Sequence, residues 1–224
     1  MKALSFVVGV DASRAGWIGI VVGPNGFMGA EIAARFDDLI GRLDGVAAVG
    51  VDIPIGLPRR GHRVADAEAR RFVGARRSSV FSVPPRSVVE ASDYSEARQV
   101  AQGLGIGVSA QSYALSPKLL EVEAIARHDP RVFEVHPEVS FRAMASRSLP
   151  PKKTWNGQET RRHLLALGGI VIPADIGDGG QAAPDDVVDA GAAAWTARRK
   201  ALGVASSLPD PPEQLDRRPT AIWY

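Results

Sequence analysis

Three short apolar runs open the chain, at residues 4–10, 17–22 and 27–32. The links between them are brief, and GPNG at 23–26 is a strong turn signal. This pattern predicts three strands in an antiparallel meander. FDDLIGRL (36–43) then predicts a short helix with Asp37 or Asp38 in its first turn. Residues 46–53 are almost continuously apolar, which suits a central strand covered on both faces by helices. RVFEVH (131–136) is the fifth strand candidate. Strands four and five are reached by crossovers, so they are expected to run parallel to the first. The outcome is an α/β fold with a five-stranded mixed sheet flanked by helices.

The remaining pattern is helical or irregular. Helices are predicted at ADAEARRFVG (65–74), PEVSFRAMA (137–145) and GQETRRHLLALG (157–168), the last two bracketing the Lys-rich segment LPPKKTWNG (149–157), read as a mobile loop. SPKLLEVEAIARH (116–128) has Leu119, Val122 and Ala126 on one side and Lys118 and Glu121 on another. The Gly- and Asp-rich stretch at 174–184 is irregular. DDVVDAGAAAWTARRKALG (185–203) predicts a helix with Pro184 and two Asp at its start and basic residues near its end. The Pro-rich tail, LPDPPEQLDRRPTAIWY (208–224), ends in apolar residues expected to dock on the body. No repeat divides the chain, so residues 1–224 read as a single domain carrying a helical, Arg-rich insertion at about 59–128.

Composition narrows the function classes. The chain has no cysteine, which excludes disulfides, thiolate metal sites and cysteine nucleophiles and makes a reducing cytoplasm the expected compartment. The short apolar start reaches Asp11 instead of a small-residue cleavage site, and no run approaches the ~20 apolar residues that span a bilayer. A cytoplasmic protein without a membrane partner is expected. The net charge is +2, but its distribution is uneven. Residues 59–86 hold eight Arg and one His against only Asp66 and Glu68, and Arg occurs there as an adjacent pair three times. Such a cluster suits an anionic ligand, phosphate or a nucleic-acid backbone.

The candidate chemistry lies in carboxylates at element ends. Asp11 closes the first apolar run and Asp52 the fourth. With those strands adjacent and parallel, both side chains reach the carboxyl edge of the sheet, about 5 Å apart, where ligand sites of α/β proteins collect. Two carboxylates so placed suit a shared divalent ion. The late helix supplies a third group, Asp186 or Asp189, while Asp185 suits the helix start. Asp189 lies a full turn in, where helix propensity does not favour Asp.

The phrases GVDASRAGW, VGVDIPIGLP, ARRFVGARRSSVFSVPPR, LSPKLLEVE, FEVHPEVSF and DDVVDAGAAAWTARR resemble, over essentially the whole chain, domain-of-unknown-function family 429. That family is described as predicted nucleases of the ribonuclease H-like fold. The resemblance implies a five-stranded sheet of ribonuclease H type with an acidic site.

A nuclease or phosphodiesterase of this kind works with two divalent ions, Mg²⁺ or Mn²⁺, roughly 3.5–4 Å apart. On this expectation Asp11 is the central ligand, with Asp52 and Asp186 or Asp189 completing the set. His136 is a candidate proton shuttle and Glu138 an outer ligand or water-orienting base, with Glu134 set aside if it faces away. Arg70, Arg71, Arg76, Arg77 and Lys118 form the candidate substrate-binding set, since Arg forks suit phosphate oxygens. Phe72, Phe81 and Tyr94 are the few aromatics near it, and Phe72 and Phe81 are more suited to core than to base stacking. The expected partner is nucleic acid or another phosphate-bearing substrate. Two rivals remain: a phosphotransferase related to actin and sugar kinases, with GVDAS and DIGDGG as phosphate loops, and a non-catalytic anion-binding protein that uses the Arg face alone.

Overall fold

A computed structural model describes residues 6–224 of the chain. The beginning of the first predicted strand, residues 4 and 5, lies outside the described residues. Strand β1 is Val7–Ser13, β2 Gly16–Gly23 and β3 Gly26–Ala33. Helix α1 (Phe36–Gly41) leads to β4 (Val49–Val51). Then come α2 (Val64–Val73), a 3-10 turn at Gly74–Ser79, α3 (Arg86–Val89), α4 (Tyr94–Gly103), α5 (Ala110–Tyr113) and α6 (Ser116–Ala126). Strand β5 (Val132–Glu134) follows, then α7 (Pro137–Ala145), α8 (Trp155–Leu167) and α9 (Pro184–Ala201). The chain closes with β6 (Ser207–Leu215) and β7 (Arg218–Trp223).

The main sheet has the order β3-β2-β1-β4-β5. β1, β2 and β3 pair antiparallel, while β4 lies parallel to both β1 and β5. The meander and the two parallel strands are therefore as the hydrophobic pattern predicts. Residues 46–53 form a shorter strand than expected. Gly50 and Val51 pair on both sides, but Pro54, which lacks an N–H, and the bends around it end the ladder. No helix among the described residues is long and apolar enough to cross a membrane.

Strand alternation sorts side chains into two cores. Val8, Val10, Val49 and Val51 face one way, against Phe36, Leu39, Leu119 and Val122 of α1 and α6. Val7, Phe133 and Val135 face the other way, against the alanines of α9. On that second face Gly9 of β1 and Gly50 of β4 stand side by side in register. A Cβ on Gly9 would lie 1.9 Å from the Ala194 backbone nitrogen and 2.1 Å from the Ala190 oxygen, and one on Gly50 would lie 2.8 Å from the Ala193 oxygen. Two glycines beneath three alanines thus let the helix backbone rest on the sheet backbone. Gly9→Ala puts a methyl group against main chain that cannot rotate away. We expect it to cost about 3 kcal/mol in urea denaturation, the upper end for overpacked cores. A variant as stable as the native chain would show that α9 is not seated this closely.

Two parts of the chain differ from expectation. The tail is a hairpin: β6 and β7 pair antiparallel, and Trp223 bridges in parallel to Val135 beside β5. Pro209, Pro211 and Pro212 hide this strand, because each removes a ladder donor and reads as irregular. The terminus does dock, with Ala221 and Ile222 buried. Within the Arg-rich insertion, α4 was not expected. It begins at Asp93, whose Oδ1 accepts the Glu96 N–H at 2.8 Å while Glu96 accepts the Ser92 N–H at 2.7 Å. The Asp93 cap, with Glu96 holding the residue before it, starts the helix despite its polar sequence.

Candidate metal centre

The close seat of α9 determines where its carboxylates go. Two residues beyond each glycine, on the same strand face, stands an aspartate: Asp11 after Gly9 and Asp52 after Gly50. The tripeptide Gly-Val-Asp occurs in both strands, at 9–11 and 50–52. In each copy glycine admits the helix, valine enters the opposite core and aspartate reaches the carboxyl edge. One helical turn before Ala193, α9 presents Asp189 to the same edge. Carboxylate oxygens of Asp11, Asp52 and Asp189 all lie within 4.8 Å of one another. Asp11 and Asp189 are buried and Asp52 is partly so.

This arrangement is electrostatically costly without a cation. Burial raises the Asp11 carboxyl well above its ordinary range, and the charges of Asp52, Asp189 and Asp186 push it further. Burial and Asp189 do the same to Asp52. Asp189 is raised to about 6 by burial, which outweighs its contact with Lys152. Among the described residues, the Asp11 side chain accepts only the neighbouring Ala12 N–H, at 2.6 Å, and no side-chain or backbone donor reaches Asp52. Three converging hard oxygen donors, poorly supplied with hydrogen bonds, fit a divalent cation.

A pH dependence follows with a definite sign. The folded chain holds protons on this cluster that the unfolded chain releases near 3.8. The cluster's contribution to stability therefore falls as pH rises from about 4 through about 6. Thermal melting in a chelator should show Asp52→Asn gaining on the native chain across that window. Equal melting shifts at every pH would contradict the raised carboxyls.

A cleft of about 440 Å³ opens over the three aspartates. Its walls include Arg76, Ser79, Phe81, Gln111, His136 and Lys152. His136 precedes α7, and its Nε2 lies 3.2 Å from the Ser79 carbonyl oxygen. That acceptor places the proton on Nε2 and leaves Nδ1 a buried nitrogen without a partner among the described residues. Burial lowers the ring's pKa, so it is neutral near pH 7. Glu138, in the first turn of α7, is gripped by Arg161 of α8 through two bonds of 2.7 and 2.9 Å, with Arg76 3.5 Å away. Its carboxylate is thus already paired.

Glu134 lies on the opposite strand face from Phe133 and Val135. There it accepts the Ile55 N–H at 2.8 Å and two bonds from Arg63, at 2.6 and 2.8 Å. Arg63, 1% exposed, also binds Asp66, which accepts the Val83 N–H at 3.0 Å. The triad ties the segment after Asp52 to α2 and to the chain after the 3-10 turn.

Of the five candidate anion-binding residues, the structure brings Arg76 to the cleft. Arg70 donates from Nε to the Val80 carbonyl at 2.8 Å, and Arg71 and Arg77 point to solvent. Lys118 donates to the Gly16 carbonyl at 2.5 Å and lies 4.1 Å from the Trp17 ring centroid. Phe72 packs on Tyr224 and Tyr94 on Tyr113, while Phe81 faces the cleft. Asp186 sits outside the triad, half-buried beside Asp185. Sequence reasoning missed Lys152. It belongs to the segment read as a mobile loop, yet its Nζ donates to Asp189 Oδ2 at 2.6 Å and lies 3.6 Å from Asp185 Oδ2. No local pattern marks it, because its partners are more than thirty residues away.

Fold and site together define an α/β protein with a carboxylate centre, at the edge of a mixed sheet, that can hold a divalent metal. The chain belongs to the DUF429 family, described as a protein of unknown function, whose model matches residues 9–214. Searches of curated proteins and of solved structures find no match for it.

Proposed function

We propose that the protein is a metal-dependent phosphodiesterase, a nuclease of ribonuclease H-like fold. The carrying observation is the convergence of Asp11, Asp52 and Asp189 from two adjacent parallel strand ends and one helix. The strand order and directions agree with the fold that the family resemblance implies. Asp11, Asp52 and Asp189 would hold Mg²⁺ or Mn²⁺. A bound ion of this kind supplies a water made acidic enough to attack phosphorus and a positive charge for the departing oxygen.

The chain's own groups divide the remaining work. Arg76, which lines the cleft over the three carboxylates and is partly exposed, offers guanidinium donors to a non-bridging phosphate oxygen. His136 lines the cleft as a ring fixed by Ser79 and is the candidate proton shuttle there. Glu138 with Arg161 fixes α7 to α8 and thereby the cleft wall.

The kinase-like alternative receives less support. Its second phosphate loop, DIGDGG, forms a 3-10 turn at Gly177–Gln181 that packs on β3, where a Cβ at Gly179 would meet Ala30, and none of its residues line the cleft. The test is a panel of single-stranded, duplex and branched DNA and RNA, with a simple phosphodiester, incubated with Mn²⁺ or with chelator. Cleavage that requires the ion supports the proposal. A folded protein that binds no Mn²⁺ and cleaves nothing refutes it.

A further inference from the structure

We infer that this centre takes one divalent ion, and that Lys152 is its second, built-in cation. The inference rests on the metal-site reading above and departs from the two-ion arrangement expected for such chemistry. Its basis is where the Lys152 ammonium lies. The side chain leaves the α7–α8 connection and returns to α9, with Nζ 2.6 Å from Asp189 Oδ2. A lysine ammonium is charged at neutral pH, and this one is in hydrogen-bond contact with a carboxylate of the cluster. Lys152 is thus a charge-bearing member of the cluster and lines the same cleft.

Charge and position then limit the occupancy. Asp11, Asp52 and Asp189 carry three negative charges when ionised, and Lys152 neutralises one. The two that remain match one divalent ion. A second ion would add two positive charges to a cluster that Lys152 and the first ion already neutralise, and cations this close repel strongly in a poorly solvated site. Among the described residues, Asp11 and Asp52 are the pair without a cationic contact, so they are the ligands to which the single ion is assigned, with Asp189 shared between it and Lys152.

Elsewhere in the cleft the charges offset one another, since Arg63 with Glu134 and Asp66 leaves one negative charge and Arg76 supplies one positive. Glu138 is matched by Arg161. Asp185 lies 3.6 Å from the same ammonium and is a quarter exposed, and Asp186 is half-buried outside the triad. The connection that carries Lys152 is itself anchored. Thr154 Oγ1 accepts the Gly157 N–H at 3.1 Å, and the Pro150 carbonyl accepts a bond from Arg161. Arg161 thus holds both Glu138 and the backbone that delivers the ammonium.

The experiment is a calorimetric Mn²⁺ titration of the native chain and of Lys152→Met, Lys152→Gln and Lys152→Arg. The native chain should bind one ion per chain. Lys152→Met and Lys152→Gln should bind the first ion at least about tenfold more tightly, because a competing positive charge is gone, and should then accept a second. Lys152→Arg should retain a stoichiometry of one, because charge and not shape sets it. Two ions in the native chain would overturn the inference and leave the metal site standing, as would weaker binding in Lys152→Gln. No binding to any folded form would instead remove the metal-site reading itself. Melting midpoints in chelator and in Mn²⁺ provide a second readout: Lys152→Gln should melt lower than the native chain in chelator and recover in Mn²⁺.

Discussion

Asp11→Asn is expected to remove Mn²⁺-dependent cleavage, lowering the rate at least about a thousandfold, or about 4 kcal/mol of barrier. Asp11 lies within 4.8 Å of both other carboxylates, on the strand flanked by β2 and β4, and its burial leaves water no easy substitute for a lost ligand. The amide keeps the shape but removes the charge. The same change should leave the metal-free fold intact or raise its melting midpoint, because one member of a repulsive buried cluster is gone. The combination of lost activity and undiminished stability separates a ligand from a structural residue. A drop in both would mean that Asp11 holds the strand end together, and cleavage persisting in Asp11→Asn would mean that the reaction lies elsewhere.

Arg63→Met is expected to cost about 3–5 kcal/mol, since removing one partner of a buried ion pair leaves the other charge stranded. Here two carboxylates are stranded. Glu134 and Asp66 are both buried and both satisfied by this one guanidinium, which also donates to the Ile55 carbonyl at 3.1 Å. Denaturation in urea measures the loss. Restoring neutrality with Glu134→Gln and Asp66→Asn in the same chain should recover part of it, because the penalty is uncompensated charge more than lost volume. A loss below about 1 kcal/mol would be typical of an exposed pair and would contradict the burial of the triad.

The contrast between Arg63 and its neighbours shows what sequence could and could not reveal. The paired arginines, 70–71 and 76–77, drew attention as an anion-binding face. Adjacent residues on a helix point about 100° apart, so a pair cannot be buried together and one member is left to solvent. Arg71 and Arg77 take that role. The unpaired Arg63, three residues before Asp66, is the buried one, and that spacing was the available signal. Asp11 and Asp52 were legible because strand ends give each a local context, and Asp189 was legible as one of two alternatives with Asp186, because both lie near the start of α9. Lys152 and Arg161 were not, because their roles exist only once α7 and α8 bring distant segments to α9. The hairpin of β6 and β7 was hidden by its prolines, whose local preference was overridden by pairing and docking of the apolar terminus.

Gly9 and Gly50 act as a gauge as well as a clearance. Each carries its aspartate on the same rigid strand, two residues on, while Asp189 rides on the helix that rests on them. The gap between helix axis and sheet is therefore also the reach of the third carboxylate. Thickening the contact by a methyl group lifts the helix and opens the ligand triangle from one side only. On the reading proposed above, the affinity of this centre for a divalent ion would thus depend partly on two glycines that never touch it.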